Sequence, residues 1–258
     1  MYNQIYNIDC LEGMKEIPDG AVDFILSDLP FGMVDCDWDK RIPFEPMWEQ
    51  FKRVTKHNAA IALFANGKFL IELAASNLKM YRYKIVWLKN LATGFLNAKK
   101  MPLKAHEDIL IFYRKLPTYN PQFTKGKPYT RGGFRQSTCY TDGKRIRQPE
   151  VEYPDKRFPY DFLSLRCSNG RACPFNGEHV NQKPVDLLEW LIKTYSNAGE
   201  LVLDATIGSG STAVACVNTG RQFIGYETDE HYFEVAQRRI REAQAKKAQE
   251  LFDSTAVE

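Results

Sequence analysis

Residues 201–212 read LVLDATIGSGST, and this stretch decides the fold. Its apolar first part predicts a buried strand that ends at Asp204, and Gly208 and Gly210 predict a tight turn. A helix is expected to follow over 211–219. A strand that passes through a glycine turn into a helix lets the backbone approach a ligand closely, and the free N–H groups of the helix N-terminus favour an anion.

An acidic residue accompanies this turn. A second apolar strand over 222–227 ends at Glu227, where a carboxylate can accept hydrogen bonds from both hydroxyls of a ribose. Thr212 stands one residue before the third glycine that GxGxxG requires, and no lysine follows as in a P-loop, so neither motif fits. The implied ligand has a ribose and a single anionic group such as a carboxylate, a description that S-adenosylmethionine fits.

A second polar turn follows another apolar strand, predicted over 22–28. Asp28-Leu29-Pro30-Phe31 lies at its end, where open α/β sheets bind ligands. The exocyclic amino group of a base is a poor nucleophile because its lone pair is delocalised into the ring. The Asp28 carboxylate and the Leu29 carbonyl could accept its two N–H groups and localise that pair. Pro30 would keep the turn rigid, and Phe31 could stack on a flipped base. The alternative is a turn-capping aspartate beside a buried phenylalanine.

Strands and helices alternate along most of the chain. Hydrophobic periodicity predicts strands at 22–28, 59–64, 83–88, 108–113, 201–204 and 222–227, and helices at 44–56, 68–78, 184–195, 211–219 and 230–251. This alternation predicts a doubly wound α/β fold, in which helices cover both faces of a mostly parallel sheet.

The alternation is interrupted between Lys115 and Glu178. This segment holds seven of the 13 prolines, ten aromatic residues, and twelve Lys or Arg against six Asp or Glu. An irregular segment of this length is usually functional, and a local excess of positive charge suits a phosphate-binding surface, although solvated loops are the alternative. We therefore predict three parts: 1–114 and 179–258 as halves of one catalytic domain, and 115–178 as an irregular target-recognition insertion. The basic side chains best suited to contact phosphate or guanine are Arg131, Arg135, Lys144, Arg145 and Arg147.

The remaining composition excludes several classes of protein. Hydrophobic residues make up 44% and charged residues 26%, which is typical of a globular chain and not of a disordered one. No run of about eighteen apolar residues predicts a membrane span, and no secretory signal is visible, so a cytoplasmic location is expected. The six cysteines are scattered and form no CxxC pair, so we expect free thiols and no metal site.

Four segments together resemble the β class of DNA amino-methyltransferases. Asp28-Leu-Pro-Phe31 resembles the catalytic motif (D/N/S)-P-P-(Y/F/W), and residues 204–212 resemble the cofactor motif D-P-F-x-G-S-G-T-T. Residues 179–184, HVNQKP, resemble an H-P-T-Q-K-P segment, and residues 7–10, NIDC, resemble an N-terminal G-D-C/A segment. The order of these segments is that of the β class, and the resemblance covers nearly the whole chain except the detail of 115–178.

This resemblance implies an S-adenosylmethionine-dependent methyltransferase fold and methyl transfer to an amino group in double-stranded DNA. Asp28 would hydrogen-bond the target amino group, Phe31 would stack on the base, and Glu227 would bind the cofactor ribose. The methionine end of the cofactor would be lined by the glycine turn, namely Asp204, Gly208, Ser209, Gly210, Ser211 and Thr212.

Three further positions acquire roles from the resemblance. Gln182 and Lys183 would close the cofactor pocket. Asp9 would contact the adenine end of the cofactor, and a plain turn aspartate is the alternative there.

The chain departs from the family pattern at three places. Leu29 replaces the first proline of the catalytic motif, Ala205 and Thr206 replace Pro-Phe, and Ser211 replaces threonine. Leu29 keeps its backbone carbonyl and Ser211 its hydroxyl, so no needed chemical group is lost. Turn rigidity and an apolar cofactor contact are what the changes put in question.

The resemblance also leaves alternatives open. Enzymes of the family that act on cytosine favour serine at the first motif position, so Asp28 points to N6 of adenine, and N4-cytosine methylation is the nearest alternative. An RNA methyltransferase and a catalytically silent DNA-binding module are the others. Related enzymes often serve restriction-modification systems and are often dimers, which implies a homodimer without indicating its interface.

Two segments carry weaker signals. His106 and Glu107 could form an acid/base pair near the target base, or a polar turn that precedes the strand at 108–113. Residues 94–101 could form a loop that contacts DNA, or plain surface.

Overall fold

The computed structural model describes residues 2–32, 40–129, 154–164 and 182–255, and it describes two short strands at 134–136 and 145–147 by their backbone alone. The chain divides into two units, Met1–Asn120 with Asp161–Glu258, and Pro121–Tyr160. The larger unit carries both of the turns that the sequence singles out.

In the described residues the larger unit contains an eight-stranded sheet and six α-helices. In chain order, with the strands of the smaller unit included, the elements are β1 (Gln4–Tyr6), α1 (Cys10–Met14), β2 (Val22–Ser27), α2 (Phe44–Val54), β3 (Thr55–Ala65), α3 (Gly67–Ser76), β4 (Tyr81–Thr93), β5 (Lys104–Tyr113), β6 (Thr124–Lys125), β7 (Phe134–Gln136), β8 (Arg145–Arg147), β9 (Lys156–Arg157), β10 (Phe162–Leu163), α4 (Val185–Tyr195), β11 (Leu201–Asp204), α5 (Ser211–Thr219), β12 (Gln222–Tyr226) and α6 (Glu230–Thr255).

The strands of this sheet follow the order β1–β12–β11–β2–β3–β5–β4–β10. Neighbouring strands are parallel except where β5 pairs with β3 and with β4, and both of those pairs are antiparallel. The carboxyl ends of β1, β12, β11, β2 and β3 therefore lie along one edge of the sheet. Because β5 runs the other way, its first residues reach that same edge.

Both faces of the sheet carry an apolar core, which is why the central strands read as continuous apolar runs. In β2, Ile25 packs into the core on one face, whereas Phe24 and Leu26 pack into the core on the other. Residues of α1, α2 and α3 contribute to the first core, and residues of α4, α5 and α6 contribute to the second. The arrangement is the doubly wound one that the alternation predicts.

Some elements differ from the prediction. The first strand and helix were missed, because three and five residues are too few to show a period. β4 continues to Thr93 and β5 begins at Lys104, since their pairing extends well beyond the apolar run. The prediction of a polar turn at His106 and Glu107 is therefore wrong, because both residues lie within β5.

The smaller unit, Pro121–Tyr160, contains two antiparallel strand pairs, β6 with β9 and β7 with β8. Phe123 packs on Phe158 with ring centroids 4.8 Å apart, and the Arg157 guanidinium lies 4.4 Å from the ring centroid of Tyr129. These contacts join aromatic side chains within the unit, although Phe158 is 62% exposed. It lies inside the predicted recognition segment 115–178, and the three predicted parts remain a prediction.

Several features of the described chain bear on chemistry and location. Cys10 and Cys216 are buried free thiols, and burial raises the pKa of Cys10 to about 12 and that of Cys216 as well. A buried thiol with a raised pKa is a poor nucleophile. Within the described ranges, no three His, Cys, Asp or Glu side chains are grouped to hold a metal ion. In the same ranges no helix has both the length and the apolarity that crossing a bilayer requires.

Candidate active site

The polar residues of the two turns meet at the carboxyl edge of the sheet, where a cavity of about 840 Å³ opens. This volume is typical of small-molecule sites. The cavity is lined by nearly all of the predicted catalytic and cofactor residues, namely Asp9, Asp28, Leu29, Pro30, Phe31, Gln182, Lys183, Asp204, Gly208, Ser209, Ser211, Thr212 and Glu227. Gly210 lies just behind the lining, against α6.

The glycine turn between β11 and α5 needs glycine for two reasons. Gly208 and Gly210 have φ angles of +52° and +81°, in the left-handed region that other residues rarely adopt. A Cβ added to Gly210 would lie 2.9 Å from Ala236 Cβ and 3.0 Å from Ala236 Cα, which is closer than real contacts. The turn is therefore held against α6 in a shape that a side chain at Gly210 would disrupt.

The Glu227 carboxylate is oriented by backbone donors. Gly208 N donates to one of its oxygens at 2.9 Å, and Asp229 N donates to the other at 2.9 Å. Burial nevertheless raises the pKa of this carboxyl. The hydrogen bonds from Gly208 and Asp229 thus fix the orientation of the Glu227 carboxylate at the cavity wall.

Asp204 ends β11 and is the most deeply buried carboxyl of the cofactor turn. Its carboxylate accepts hydrogen bonds from Thr206 N at 3.1 Å and from the hydroxyls of Thr212 and Ser27. Burial raises the pKa of Asp204 to about 6, because these neutral donors offset only part of the desolvation. A cationic ligand group beside it would supply the missing compensation.

Arg239 of α6 is a contributor that sequence reasoning missed. Its guanidinium donates to the backbone oxygen of Ser209, to Ser209 Oγ at 2.8 Å and to Ser211 Oγ at 3.1 Å. Gln182 Oε1 lies 3.5 Å from the same Ser209 hydroxyl. The only sequence signal for Arg239 is its place on the charged helix after Glu227, which says nothing about its target.

Asp9 lines the cavity and also begins α1. Its carboxylate accepts from Leu11 N at 2.8 Å and from Glu12 N at 3.3 Å, as an N-cap does. The structure therefore agrees with the interpretation of Asp9 as a turn aspartate. A contact between Asp9 and the cofactor remains a prediction.

The turn formed by Asp28 to Phe31, called the catalytic turn after the motif it resembles, contacts a network of charged side chains that the sequence did not reveal. Lys183 Nζ donates to Asp28 Oδ2 and lies 3.4 Å from Glu107 Oε2, while Lys89 donates to Glu107 Oε1. Asp28 Oδ1 is buried and has no hydrogen-bond partner among the described residues. One Asp28 oxygen is thus held by a lysine, and the other is buried without a partner among the described residues.

Burial and charge set the protonation of these carboxyls. Burial raises the pKa of Asp28 against the opposing effect of Lys183, and Glu107 raises it further. Burial also acts to raise the pKa of Glu107, but Lys183 and Lys89 outweigh it and leave that pKa below its usual range. Glu107 is therefore the more firmly ionised of the two, and Asp28 is the one closer to taking up a proton.

The rest of the catalytic turn is anchored in the first core. Leu29 is buried, and the Phe31 ring stacks on Phe69 with centroids 4.8 Å apart. Arg41 Nε donates to the Phe31 carbonyl at 2.6 Å, and its guanidinium pairs with Glu72. Phe31 is only partly buried and lines the cavity, so its predicted stacking on a base stays a prediction.

His106 does not join Glu107 in the site. Neighbouring residues of a strand point to opposite faces, and the His106 ring lies 4.0 Å from Asp108, with about half of the side chain exposed. The predicted acid/base pair is therefore not formed, while Glu107 alone lines the cavity.

Of the five basic DNA-contact candidates, the structure describes three, and it describes them by their backbone alone. Arg131 and Lys144 lie outside the described residues. Arg135 is in β7, and Arg145 and Arg147 are in β8, strands that pair through their backbones with Phe134 opposite Arg147. Their role in DNA binding remains a prediction.

A family model described as DNA methylase, N6_N4_Mtase, matches residues 22–238 and so spans both motif turns. The chain belongs to this DNA methylase family. Membership confirms the predicted family and the predicted function as a DNA amino-methyltransferase that uses S-adenosylmethionine. It does not distinguish adenine from cytosine.

Curated relatives match over most of their length. Type II methyltransferase M1.MboII of Moraxella bovis is 25% identical, over 89% of this chain and 93% of the relative. The DNA adenine methyltransferase YhdJ of Escherichia coli (strain K12) is 26% identical, over 94% and 84%.

Solved structures share the fold. The M1.HpyAVI complex with SAM has a TM-score of 0.61 at 22% identity, covering 92% of this chain and 98% of that one. The cytosine-N4-specific PvuII DNA methyltransferase has a TM-score of 0.64 at 12% identity, covering 95% and 92%. The predicted fold class is thereby confirmed.

Proposed function

We propose that this protein transfers the methyl group of S-adenosylmethionine to N6 of adenine in double-stranded DNA. The observation that carries the proposal is the Asp28 carboxylate, which lines the same cavity as Asp204 and Glu227 and whose buried Oδ1 has no hydrogen-bond partner among the described residues. The cavity thus offers a hydrogen-bond acceptor for an amino group beside carboxylates suited to a nucleoside cofactor. Asp28 at the first motif position favours adenine over cytosine.

The carboxylates in the cofactor half of the cavity suit S-adenosylmethionine. Glu227 would accept the ribose hydroxyls, and Asp204 would lie by the positively charged methionine end, with the N-terminus of α5 near its carboxylate. The glycine turn, Gly208 to Thr212, would line this end, with Gln182 beside Ser209, and Asp9 would contact the adenine end. When bound, the cofactor supplies an electrophilic methyl group on a sulfonium.

The other half of the cavity would receive the target base. Asp28 Oδ1 would accept one N–H of the amino group and the Leu29 carbonyl the other, Pro30 would fix the turn, and Phe31 would stack on the flipped ring. The amino nitrogen then attacks the methyl carbon in line, and the electron pair of the broken C–S bond stays on sulfur. The nitrogen releases its proton to Asp28 or to water, and proximity accounts for most of the rate.

The surface around the cavity suits DNA. The turn between β4 and β5 begins beside cavity-lining Thr93 and ends at cavity-lining Lys104. It exposes Leu96 completely and two-thirds of Phe95, and it carries Lys99 and Lys100. Apolar side chains at the mouth of a base pocket, flanked by lysines, fit contact with unstacked bases and phosphates. The segment 115–178 would read the target sequence, and two copies of the chain would form a homodimer.

A transfer assay tests this function. Unmodified genomic duplex DNA is incubated with labelled S-adenosylmethionine and wild-type protein, Asp28→Ala or Asp23→Ala. Asp23 is a matched control, because it lies in the strand that leads to Asp28 and pairs with Lys56 at 2.6 Å, outside the cavity lining. We expect label in DNA with wild type and Asp23→Ala and none with Asp28→Ala. Label in RNA but not in DNA would contradict the proposal.

A further inference from the structure

The carboxylate Glu107 has no assigned part in methyl transfer, yet it lies beside the catalytic turn. Lys183 connects the two carboxylates: its ammonium donates to Asp28 and lies 3.4 Å from Glu107. The side chains of Lys183 and Glu107 are only 11% and 12% exposed, so water screens little of this interaction. The charge on each group is therefore set by burial together with the charges of the others.

The order of strands brings these groups together. Antiparallel β5 carries Glu107 to the carboxyl edge, where it pairs in register with Trp87 of β4, and Lys89 follows two residues later. Lys89 holds one Glu107 oxygen and Lys183 lies near the other. Two ammonium groups and two carboxylates thus form a row of alternating charge, Lys89–Glu107–Lys183–Asp28, with no net charge.

We infer that Glu107 is a positioning residue that acts on Asp28 through Lys183. The inference rests on the proposed function of Asp28 as the acceptor for the target amino group. Lys183 occupies Asp28 Oδ2, so the carboxylate presents Oδ1 to the substrate. Glu107 holds Lys183 from the other side, so the ammonium is shared and Asp28 stays a more basic hydrogen-bond acceptor for an N–H.

The charged groups around Asp28 determine how each substitution shifts its ionisation. Lys183 and Lys89 favour the ionised form, while Glu107 disfavours it, and Asp204 is the other carboxylate that interacts with Asp28. Glu107→Gln removes a negative charge and lowers the pKa of Asp28. Lys183→Gln removes a positive charge and raises it. Substitution of a residue with a purely structural role would leave the pKa of Asp28 unchanged.

The test combines a titration that needs no activity with a kinetic profile. In protein labelled with ¹³C at aspartate Cγ, the Asp28 signal, assigned by its loss in Asp28→Ala, is followed against pH in wild type, Glu107→Gln and Lys183→Gln. We expect its midpoint to fall in Glu107→Gln and to rise in Lys183→Gln. The acid limb of kcat/KM for methyl transfer should move in the same two directions, with kcat for Glu107→Gln lowered about 10- to 100-fold. Glu107→Gln alone carries the test if Lys183→Gln fails to fold.

A matched control separates charge from stability. Asp23→Asn removes another buried, lysine-paired carboxylate, whose side chain is 11% exposed, at the far end of β2. Asp23→Asn should leave both the titration midpoint of Asp28 and the acid limb of the kcat/KM profile unchanged. An unchanged midpoint in Glu107→Gln would overturn the inference even if wild type methylates DNA. Wild-type protein that methylates no base would instead overturn the proposed function, and the titration would still report on the network.

Discussion

At the scale of single residues, three carboxylates of the cavity are each held by a partner of a different kind. Backbone N–H groups hold Glu227, hydroxyls and a backbone N–H hold Asp204, and a lysine holds Asp28. The sequence indicated these three carboxylates because each ends a recognisable strand. It singled out Glu107 only as a possible partner of His106 and did not indicate its contact with Lys183, because a polar residue inside a long antiparallel pair has no local signature.

Glu227→Gln should weaken binding of S-adenosylmethionine about 10- to 100-fold. The ribose hydroxyls would lose a charged acceptor, and such hydrogen bonds contribute about 1.5–3 kcal/mol. Isothermal titration calorimetry measures the change. Glu230→Gln, on the exposed first turn of α6 and outside the cavity lining, is the control and should bind as wild type does. Equal affinities for both variants would contradict the role of Glu227.

Asp204→Asn should change stability in a pH-dependent way. Burial raises the pKa of Asp204 to about 6 from 3.8, so this group favours folding below about pH 4, and the advantage is lost as the pH rises to about 6. Asparagine has no such loss. Without cofactor, the variant should therefore gain about 2–3 kcal/mol relative to wild type between pH 4 and pH 7. Urea unfolding at several pH values measures this, and a constant difference would contradict it.

At the scale of elements, the turn between β11 and α5 was predictable because residues that typically end strands and helices flank it. Asp204 ends the strand, glycines shape the turn, and Gly220 ends the helix at the predicted residue. β1 and α1 were not predictable, because their stability comes from pairing with β12 and from packing, not from local pattern. The reversed direction of β5 was also hidden, since an apolar strand reads alike in either direction.

Gly210→Ala should destabilise the protein more than Gly199→Ala. Both glycines have a φ of +81°, but only at Gly210 would the new Cβ meet Ala236, whereas nothing lies within 4 Å at Gly199. The Gly199 variant isolates the backbone strain, about 1 kcal/mol, and the Gly210 variant adds overpacking of about 1–3 kcal/mol. Thermal unfolding compares them, and equal losses would show that α6 does not press on the turn.

The turn between β4 and β5 should affect DNA and not cofactor. Leu96→Ser removes the fully exposed leucine at its tip and should weaken duplex binding several-fold while leaving cofactor affinity unchanged. Leu78→Ser, at another leucine that is 67% exposed, is the matched control. Fluorescence anisotropy with labelled duplex measures binding. Equal effects of the two substitutions would mean that this turn is plain surface.

At the scale of the whole molecule, one edge of one sheet collects the residues proposed to bind the cofactor and the base in a single cavity. The charge is unevenly distributed, because the net charge is +3 although segment 115–178 has twelve basic and six acidic residues. The fold class was predictable from the alternation of strands and helices, and the site was predictable from the strands that end near Asp28, Asp204 and Glu227. The contacts of the insertion were not, because its irregular sequence carries no period.

Salt should weaken DNA binding steeply. Each phosphate contact contributes about −0.9 to the slope of log K against log salt, so five basic contacts predict a slope of about −4 to −5. Binding measured between 50 and 200 mM salt should therefore fall more than 100-fold. A slope near zero would contradict a phosphate-binding surface and favour a small-molecule substrate.

The identity of the methylated base tests the central claim most directly. Duplex genomic DNA that lacks modification is incubated with the protein and S-adenosylmethionine, digested to nucleosides and analysed by mass spectrometry. We predict N6-methyl-2′-deoxyadenosine and no N4-methyl-2′-deoxycytidine. N4-methylcytosine would keep the fold and the arrangement of the site but contradict the assignment of Asp28 to adenine, and the absence of any methylated base would contradict DNA methylation by this protein.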